Sequence, residues 1–167
     1  MERKKLSILV EGGVLLGIAE ALNYFVLLTM PYGGAITLAP LSIIIFAMRR
    51  GVKQGVFLGI LYGILHFVLT TKFSFHPLSI VLDYIVPGAA LGLVALGKHN
   101  LGFLLATLVR FVSNFLSGVL VFASYAGDSN PIIYSLIYNF TYVIPEMLII
   151  FVLVILLKKF MPIFSRQ

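Results

Sequence analysis

The residue in this sequence with the clearest chemical meaning is Asp83, which lies inside a long apolar run and is followed by Tyr84. An ionisable group within such a run costs a few kcal/mol unless it is paired, so it indicates a functional site by default. Arg110 lies inside another apolar run and is expected at a different depth, which makes it a poor partner. Asp83 therefore favours a cationic ligand over an internal ion pair.

Amide, phenol and aromatic side chains are expected at the same depth as Asp83 and Tyr84. Together they offer stacking surfaces, directed hydrogen bonds and a counter-charge, which suit a small planar polar molecule. Taken singly, each is more often a satisfied interhelical hydrogen bond, so the prediction of a pocket depends on their coincidence. They are Asn114, Gly118 and Phe122, spaced four apart on one predicted helix face, and Tyr134, Tyr138 and Asn139 in the last apolar run.

Other chemistries lack the residues that they need. The chain has no cysteine, which excludes disulfides, thiolate metal sites and cysteine nucleophiles. Its three histidines, His66, His76 and His99, are too scattered for metal ligation, and no Ser/His/Asp or H-E-x-x-H pattern is present. The sequence therefore predicts no enzyme, no metal and no resident cofactor.

Composition defines the elements that must position these residues. The 167 residues are 60% hydrophobic and 11% charged, whereas a soluble domain carries roughly 25% charge. At about 20 apolar residues per crossing, we expect an all-α integral membrane bundle of six transmembrane helices, forming one domain over residues 1–167. The predicted spans are 6–30, 36–48, 54–71, 78–96, 101–125 and 132–157.

The basic residues predict the orientation of the bundle. Ten of the twelve Lys and Arg residues fall at the two termini and in the second and fourth loops, whereas the first and fifth loops have none. The positive-inside rule then places both termini in the cytoplasm. This placement in the lipid bilayer explains the net charge of +6, so the charge does not indicate nucleic acid as a partner.

Small residues recur every four positions on two predicted helices, a spacing that lets backbones approach closely in lipid. Internal packing is favoured for the third span, whereas docking of a partner protein and internal packing are evenly weighed for the first. The two sets are Gly51, Gly55, Gly59 and Gly63 on the third span, and Gly13, Gly17 and Ala21 on the first.

Two further acidic residues in apolar runs, Glu20 and Glu146, are ambiguous. They raise a competing class, a stand-alone proton- or sodium-coupled secondary carrier in which they form the relay. Such carriers are expected to have broken helices at the midplane and internal repeats, and the sequence shows neither. Glu11 and Arg110, by contrast, are interpreted as structural or partner-facing.

Short motifs, in a consistent order along nearly the whole chain, resemble those of one known family. They are Met30-Pro31-x-Gly33-Gly34, Arg49-Arg50-Gly51-Val52-Lys53, Leu82-Asp83-Tyr84-Ile85-Val86, Arg110-Phe111, Ser117-Gly118, Phe122-x-Ser124-Tyr125 and Tyr134-Ser135-Leu136-x-Tyr138-Asn139-x-Thr141-Tyr142. The chain resembles the substrate-binding S components of the energy-coupling-factor (ECF) vitamin transporters, and specifically the thiamine-specific members.

The resemblance implies a six-helix protein of the bacterial cytoplasmic membrane that captures thiamine from outside. It would associate with a transmembrane T subunit and two ATP-binding cassette ATPases, and would itself hydrolyse nothing. By resemblance, Asp83 offsets the positive charge of thiamine, and Phe122 stacks on it. The other positions carried over are Tyr84, Gly118, Tyr134 and Asn139 in the pocket, Tyr32, Gly33 and Gly34 in a lid loop, and Gly13, Gly17 and Ala21 on the face that docks the T subunit.

Two positions depart from the family pattern. Relatives typically have histidine at the position of Asn114, and an Ala-Pro-Lys-Gly-like fifth loop where this chain has Ala126-Gly127-Asp128-Ser129. Both lie at or beside the predicted pocket. The alternative ligand is therefore a thiamine precursor or a related small vitamin.

Overall fold

Six helices and one short β-hairpin make up the computed structural model, which describes residues 2–31, 34–71, 74–97 and 99–160. Within these residues, every helix except α2 is long and apolar enough to cross a membrane, which confirms the prediction of a mostly helical membrane bundle. The elements are α1 Glu2–Asn23, β1 Val26–Thr29, β2 Ala35–Thr37, α2 Ala39–Arg50, α3 Val52–Leu69, α4 Pro77–Ala95, α5 His99–Leu120 and α6 Pro131–Phe160.

The first predicted span, 6–30, is wrong over its last residues, and the chain is not purely helical. Helix α1 ends at Asn23, and β1 pairs with β2 in antiparallel register, Val26 opposite Thr37 and Thr29 opposite Ala35. A short apolar run does not by itself distinguish helix from strand. Met30 N–H donates to the carbonyl of Gly34 at 2.7 Å, and the apolar residues 26–29 pair with β2 as a strand.

The second predicted span, 36–48, is shorter as a helix because Ile36 belongs to β2 and α2 begins at Ala39. Pro40 lies in the first turn of α2, where its missing N–H would have no intrahelical partner. The remaining predicted spans agree with α3, α4, α5 and α6 within a few residues, except that α5 ends at Leu120 and not at 125.

Helix α4 is irregular along much of its length. A π-helical turn, Ile80–Ile85, is followed by regular α-helix and then by 3-10 geometry from Leu91 to Ala95. Pro87 has no N–H to donate to the carbonyl of Asp83, four residues earlier, so the regular pattern is interrupted at this point. The N–H of Val86 bonds to the carbonyl of Val81, five residues back, and not to that of Leu82, four residues back, as it would in a regular α-helix.

Gly55, Gly59 and Gly63 pack against neighbouring helices, Gly55 on Ala47 of α2 and the other two on α4, which confirms the prediction of internal packing for these three. The fourth predicted member, Gly51, lies between α2 and α3 and takes no part in this packing. A Cβ built on Gly59 would lie 2.1 Å from the carbonyl oxygen of Gly88, and one on Gly63 would lie 2.2 Å from that of Tyr84. Side chains at these positions would separate the two helices. The contact therefore brings the π-helical turn of α4 against α3.

The apolar core centres on α2, the shortest helix. Ile43 and Ile44 are fully buried there, and Val94 of α4 and Ile150 of α6 pack into the same core. The long helices expose large apolar side chains outward, as surfaces that face lipid must. Because α2 has 12 residues and is only about 18 Å long, its amino end and β2 close one side of a cavity inside the bundle.

Candidate ligand-binding cavity

A cavity of about 550 Å³ lies inside the bundle, within the size range of small-molecule sites. Hairpin and α2 residues form one boundary, and residues of α1, α3, α4, α5 and α6 form the others. The polar and aromatic residues that line it include Asn23, Thr37, Tyr62, His66, Asp83, Tyr84, Arg110, Asn114, Phe122, Tyr125, Tyr134, Tyr138, Asn139, Tyr142 and Glu146.

Asp83 reaches this cavity from the π-helical turn of α4. Two serines of α5 form hydrogen bonds with this turn. Ser117 Oγ donates to Asp83 Oδ2 at 2.6 Å, and Ser113 Oγ donates to the carbonyl oxygen of Leu82 at 2.6 Å. Ser113 and Ser117 are four residues apart, so they lie on one face of α5. This pair stabilises both the irregular backbone of α4 and the carboxylate that it carries.

Asp83 makes no ion pair within the described residues. Arg110 pairs with Glu146 instead, with Arg110 Nη2 2.8 Å from Glu146 Oε2, as expected from the different depths of Asp83 and Arg110. Asp83 therefore presents a carboxylate to the cavity with a neutral hydroxyl as its hydrogen-bond partner.

Aromatic rings of α4 and α6 line the same cavity as Asp83. The ring of Tyr84 lies edge-on to Phe67, with centroids 5.2 Å apart. On the opposite wall, Tyr138 lies 6.2 Å from Tyr134 and 5.5 Å from Tyr142. Such rings offer both π-faces and hydroxyl groups to a ligand.

Seven of the eight predicted pocket residues line the cavity, namely Asp83, Tyr84, Asn114, Phe122, Tyr134, Tyr138 and Asn139. Asn114 Nδ2 donates to the hydroxyl of Tyr142 at 2.6 Å, and Asn139 Nδ2 donates to the carbonyl of Ser135 at 2.8 Å. Phe122 lies just beyond α5, not on the helix face on which the four-residue spacing placed it.

Gly118 is the predicted pocket residue that does not belong to the cavity wall described here. A Cβ at this position would lie 2.2 Å from Ser135 Oγ, so the glycine allows α5 to pack closely on α6. The glycine therefore allows Ser135 and Asn139, both on the wall, to lie close to α5.

The predicted lid loop is only partly described. Tyr32 and Gly33 lie outside the described residues. Gly34 is buried, and a Cβ on it would lie 2.7 Å from the ring of Tyr142. The neighbouring Ala35, in β2, lines the cavity.

A buried cluster on the hairpin side was not predicted as part of the site. Thr37 N and Oγ1 donate to Glu146 Oε1 at 3.1 and 3.3 Å, and the other oxygen of Glu146 accepts from Arg110. All three residues line the cavity and fasten β2 to α5 and α6. An acidic residue in an apolar run was the available sequence signal for Glu146, but its partner could not be chosen without the fold.

A second unpredicted cluster joins α1 to α3. Glu20 Oε2 lies 3.3 Å from His66 Nδ1, and Asn23 Nδ2 lies 3.0 Å from both His66 Nδ1 and the hydroxyl of Tyr62. Asn23, Tyr62 and His66 line the cavity. The three-residue spacing of Glu20 and Asn23 was visible in the sequence, whereas their partners on α3 were not.

The small residues of α1 face outward. Gly13, Gly17 and Ala21 are exposed, and a Cβ built on Gly13 or Gly17 would meet nothing within 4 Å. Gly12, by contrast, packs on Phe46 and Leu58. The first-span stripe therefore takes no part in packing within the described chain.

Fold and cavity together define a class: a multi-pass membrane protein with a polar, aromatic-lined cavity of small-molecule size. The family described as thiamine transporter protein matches residues 9–165. The thiamine transporter ThiT of Bacillus subtilis (strain 168) is 30% identical over 172 residues, covering 92% of this chain and 88% of that protein. ThiT of Listeria monocytogenes has a similar solved structure, with a TM-score of 0.86, 20% identity and coverage of 96% of this chain and 98% of that one.

The chain belongs to the thiamine transporter protein family. The resemblance stated from the sequence motifs is thereby confirmed. The structural match at 20% identity supports the fold alone.

Proposed function

We propose that this protein binds thiamine in the cavity and serves as the S component of an ECF-type transporter. The observation that carries the proposal is Asp83, a carboxylate on the wall of the cavity with no cation paired to it among the described residues. Thiamine has a permanent positive charge on its thiazolium ring and a planar aminopyrimidine. Both features match the groups on the cavity wall.

Two physical effects would favour the cation. The attraction between Asp83 and a positive charge is stronger in a partly dry cavity than in water, because the effective dielectric constant is lower. Tyr138 and Phe122 also line the cavity, and each ring could add about 0.5 to 2 kcal/mol through cation–π contact. The same groups would accept a thiamine precursor or a related small vitamin if it were cationic and planar.

Replacing Asp83 tests the ligand assignment. Asp83→Asn should leave the protein folded but weaken thiamine binding by about tenfold or more, since removing a charged hydrogen-bonding partner costs about 1.5–3 kcal/mol. The measurement is titration of thiamine into the purified variant, with retention on size-exclusion chromatography as the check on folding.

Asp128→Asn is the matched control, because Asp128 is exposed and is not among the residues that line the cavity. It should bind thiamine as the parent does. Unchanged affinity in Asp83→Asn would remove the cation-pairing mechanism. Mass spectrometry of small molecules retained through purification would separate thiamine from its precursors.

We further propose that energy comes from partner subunits, a transmembrane T subunit and two ATPases. The outward face of Gly13, Gly17 and Ala21 supports this, since small residues permit close helix contact and nothing in the described chain covers Gly13 or Gly17. The chain contains no phosphate-binding motif of its own that follows a strand.

A six-crossing topology with both termini in the cytoplasm fits the same proposal. Glu11 of α1 pairs with both Arg49 and Arg50 at the end of α2. This contact supports a return of the chain by α2 to the end of the bundle where α1 begins. The hairpin and α2 together would then make the second crossing, although α2 alone is too short.

A further inference from the structure

The wall of the cavity formed by α1 and α3 carries polar groups that the pairing of Asp83 with a cation does not use. Asn23, Tyr62 and His66 line this wall, and Glu20 lies behind them at 6% exposure. The hydroxyl of Tyr62 donates to Asn23 Oδ1 at 3.2 Å, and the rings of Tyr62 and His66 stack with centroids 5.7 Å apart. The imidazole is thus fixed in place from two sides.

One nitrogen of His66 is occupied and the other is available. Glu20 Oε2 and Asn23 Nδ2 both lie near Nδ1, at 3.3 and 3.0 Å. Nε2 has no hydrogen-bond partner within the described residues, and the side chain keeps 29% of its surface exposed on a residue that lines the cavity. Because every polar contact that the described residues make with the ring is through Nδ1, Nε2 remains able to bond to a ligand.

Glu20 gives this wall a second unusual feature. Its Oε1 is buried and has no hydrogen-bond partner in the part of the chain that the structure describes, where the carboxylate is held by contacts to one oxygen only. Burying a carboxylate with an unsatisfied oxygen is unfavourable. A purely structural cluster of this composition would be expected to satisfy both oxygens, whereas a cluster that fixes His66 for a ligand need only hold Nδ1.

The position of His66 relative to Asp83 limits what it can contact. Tyr84 follows Asp83 in the chain, and its ring centroid lies 5.9 Å from that of His66. A ligand whose cationic ring pairs with Asp83 would therefore have His66 within reach of a substituent that extends past Tyr84. The thiazolium of thiamine carries a methyl group, the pyrimidinylmethyl group and a hydroxyethyl group, so the groups that could hydrogen-bond to Nε2 are the hydroxyl and the polar groups of the pyrimidine.

We propose that His66, supported by Asn23 and Tyr62, forms a subsite for the hydroxyl group of the ligand, with Glu20 as its positioning residue. The inference rests on the proposed function and adds a specificity determinant to it. A hydroxyl both donates and accepts, so it satisfies Nε2 whichever nitrogen carries the imidazole proton. An ethyl group in its place would leave Nε2 unpaired.

The experiment compares three ligands: thiamine, an analogue with ethyl in place of hydroxyethyl, and an analogue that lacks the pyrimidine amine. Loss of one hydrogen bond should make the ethyl analogue bind about 3- to 10-fold more weakly to the parent protein. In His66→Phe, which keeps an aromatic ring for stacking on Tyr62, this difference should disappear. The loss of affinity caused by removing the pyrimidine amine should be the same in His66→Phe as in the parent, because the subsite recognises only the hydroxyl.

Two variants separate the possible failures. Asp83→Asn should weaken the binding of thiamine and of the ethyl analogue by the same factor, so the ratio of their two affinities should stay as in the parent. Glu20→Gln should reduce the ratio without abolishing thiamine binding, which a residue needed only for folding would not do. If the parent does not bind thiamine, or if Asp83→Asn has no effect, the proposed function fails. If both hold and His66→Phe keeps the full ratio, or loses the amine penalty instead, the hydroxyl subsite is refuted.

A measurement on the unmutated protein tests the subsite without depending on whether a variant folds. With ¹⁵N-labelled histidine, the Nε2 resonance of His66 should shift on addition of thiamine and shift much less with the ethyl analogue. Equal shifts for the two ligands would overturn the subsite.

Discussion

At the scale of single residues, the proposed binding of a cation depends on how one carboxylate is held. Asp83 accepts a hydrogen bond from Ser117 and makes no ion pair among the described residues, so it keeps its capacity for an external cation. The other buried acids differ, because Glu146 is paired with Arg110, and Glu20 lies against His66. Glu20 and Glu146 thus belong to separate clusters, which gives no support to a shared relay.

Glycine positions allow a prediction of stability at the same scale. Gly59→Ala should destabilise the protein by about 1–3 kcal/mol, because its Cβ would overlap the carbonyl of Gly88 and push α3 from α4. Gly13→Ala is the control, since its Cβ would meet nothing within 4 Å. Thermal unfolding in detergent compares the two, and equal midpoints would contradict the close packing at Gly59.

At the scale of elements, irregular segments make the cavity. A regular α4 would satisfy its own carbonyl groups, whereas the π-helical turn before Pro87 leaves the carbonyl of Leu82 to Ser113 and presents Asp83 to the interior. Such π turns occur frequently at functional sites. The short α2 and the hairpin before it close the opposite side, where Glu146 holds Thr37.

The crossing made by α2 can be tested because the chain has no native cysteine. In intact cells a membrane-impermeant maleimide should label Ser129→Cys but should label Lys53→Cys only after permeabilisation. Both residues are exposed, and Lys53 follows α2 whereas Ser129 precedes α6. Labelling of Lys53→Cys from outside would show that α2 does not return the chain to the cytoplasm. The cysteine-free parent gives the background.

At the scale of the whole molecule, the proposed binding site and the proposed partner-docking face are separate: the first is the cavity and the second is the outward face of α1. The cavity has the groups to hold a small cation, and α1 exposes small residues where a membrane partner could approach. Glu20 and Asn23, at the end of α1, reach the cavity side through His66 and Tyr62. The same helix therefore contacts both regions.

Reconstitution distinguishes a partner-driven component from a carrier. Liposomes that contain only this chain should bind thiamine without accumulating it, because the proposed energy source is on other subunits. Adding the T subunit and both ATPases, with ATP, should start accumulation. Accumulation by the chain alone, driven by a proton or sodium gradient and lost with an ionophore, would favour the carrier.

Sequence alone determined the helical membrane class and seven of the residues on the cavity wall. Burial in lipid requires long apolar runs, which are read directly, and Asp83 and Tyr84 stand out in such a run because charge there is costly. The motifs also identified the family. Packing of the glycines on α3 followed from their four-residue spacing.

Only the tertiary structure decided which polar residues became partners and where helices gave way to other geometry. Residues 26–29 form a strand because pairing with β2 is available to them, and a local apolar pattern carries no information about that pairing. Glu146 meets Thr37 and Arg110, and His66 meets Glu20, across separations of 36 to 109 residues. Such contacts depend on how the helices pack, which is set by the whole chain rather than by any one segment.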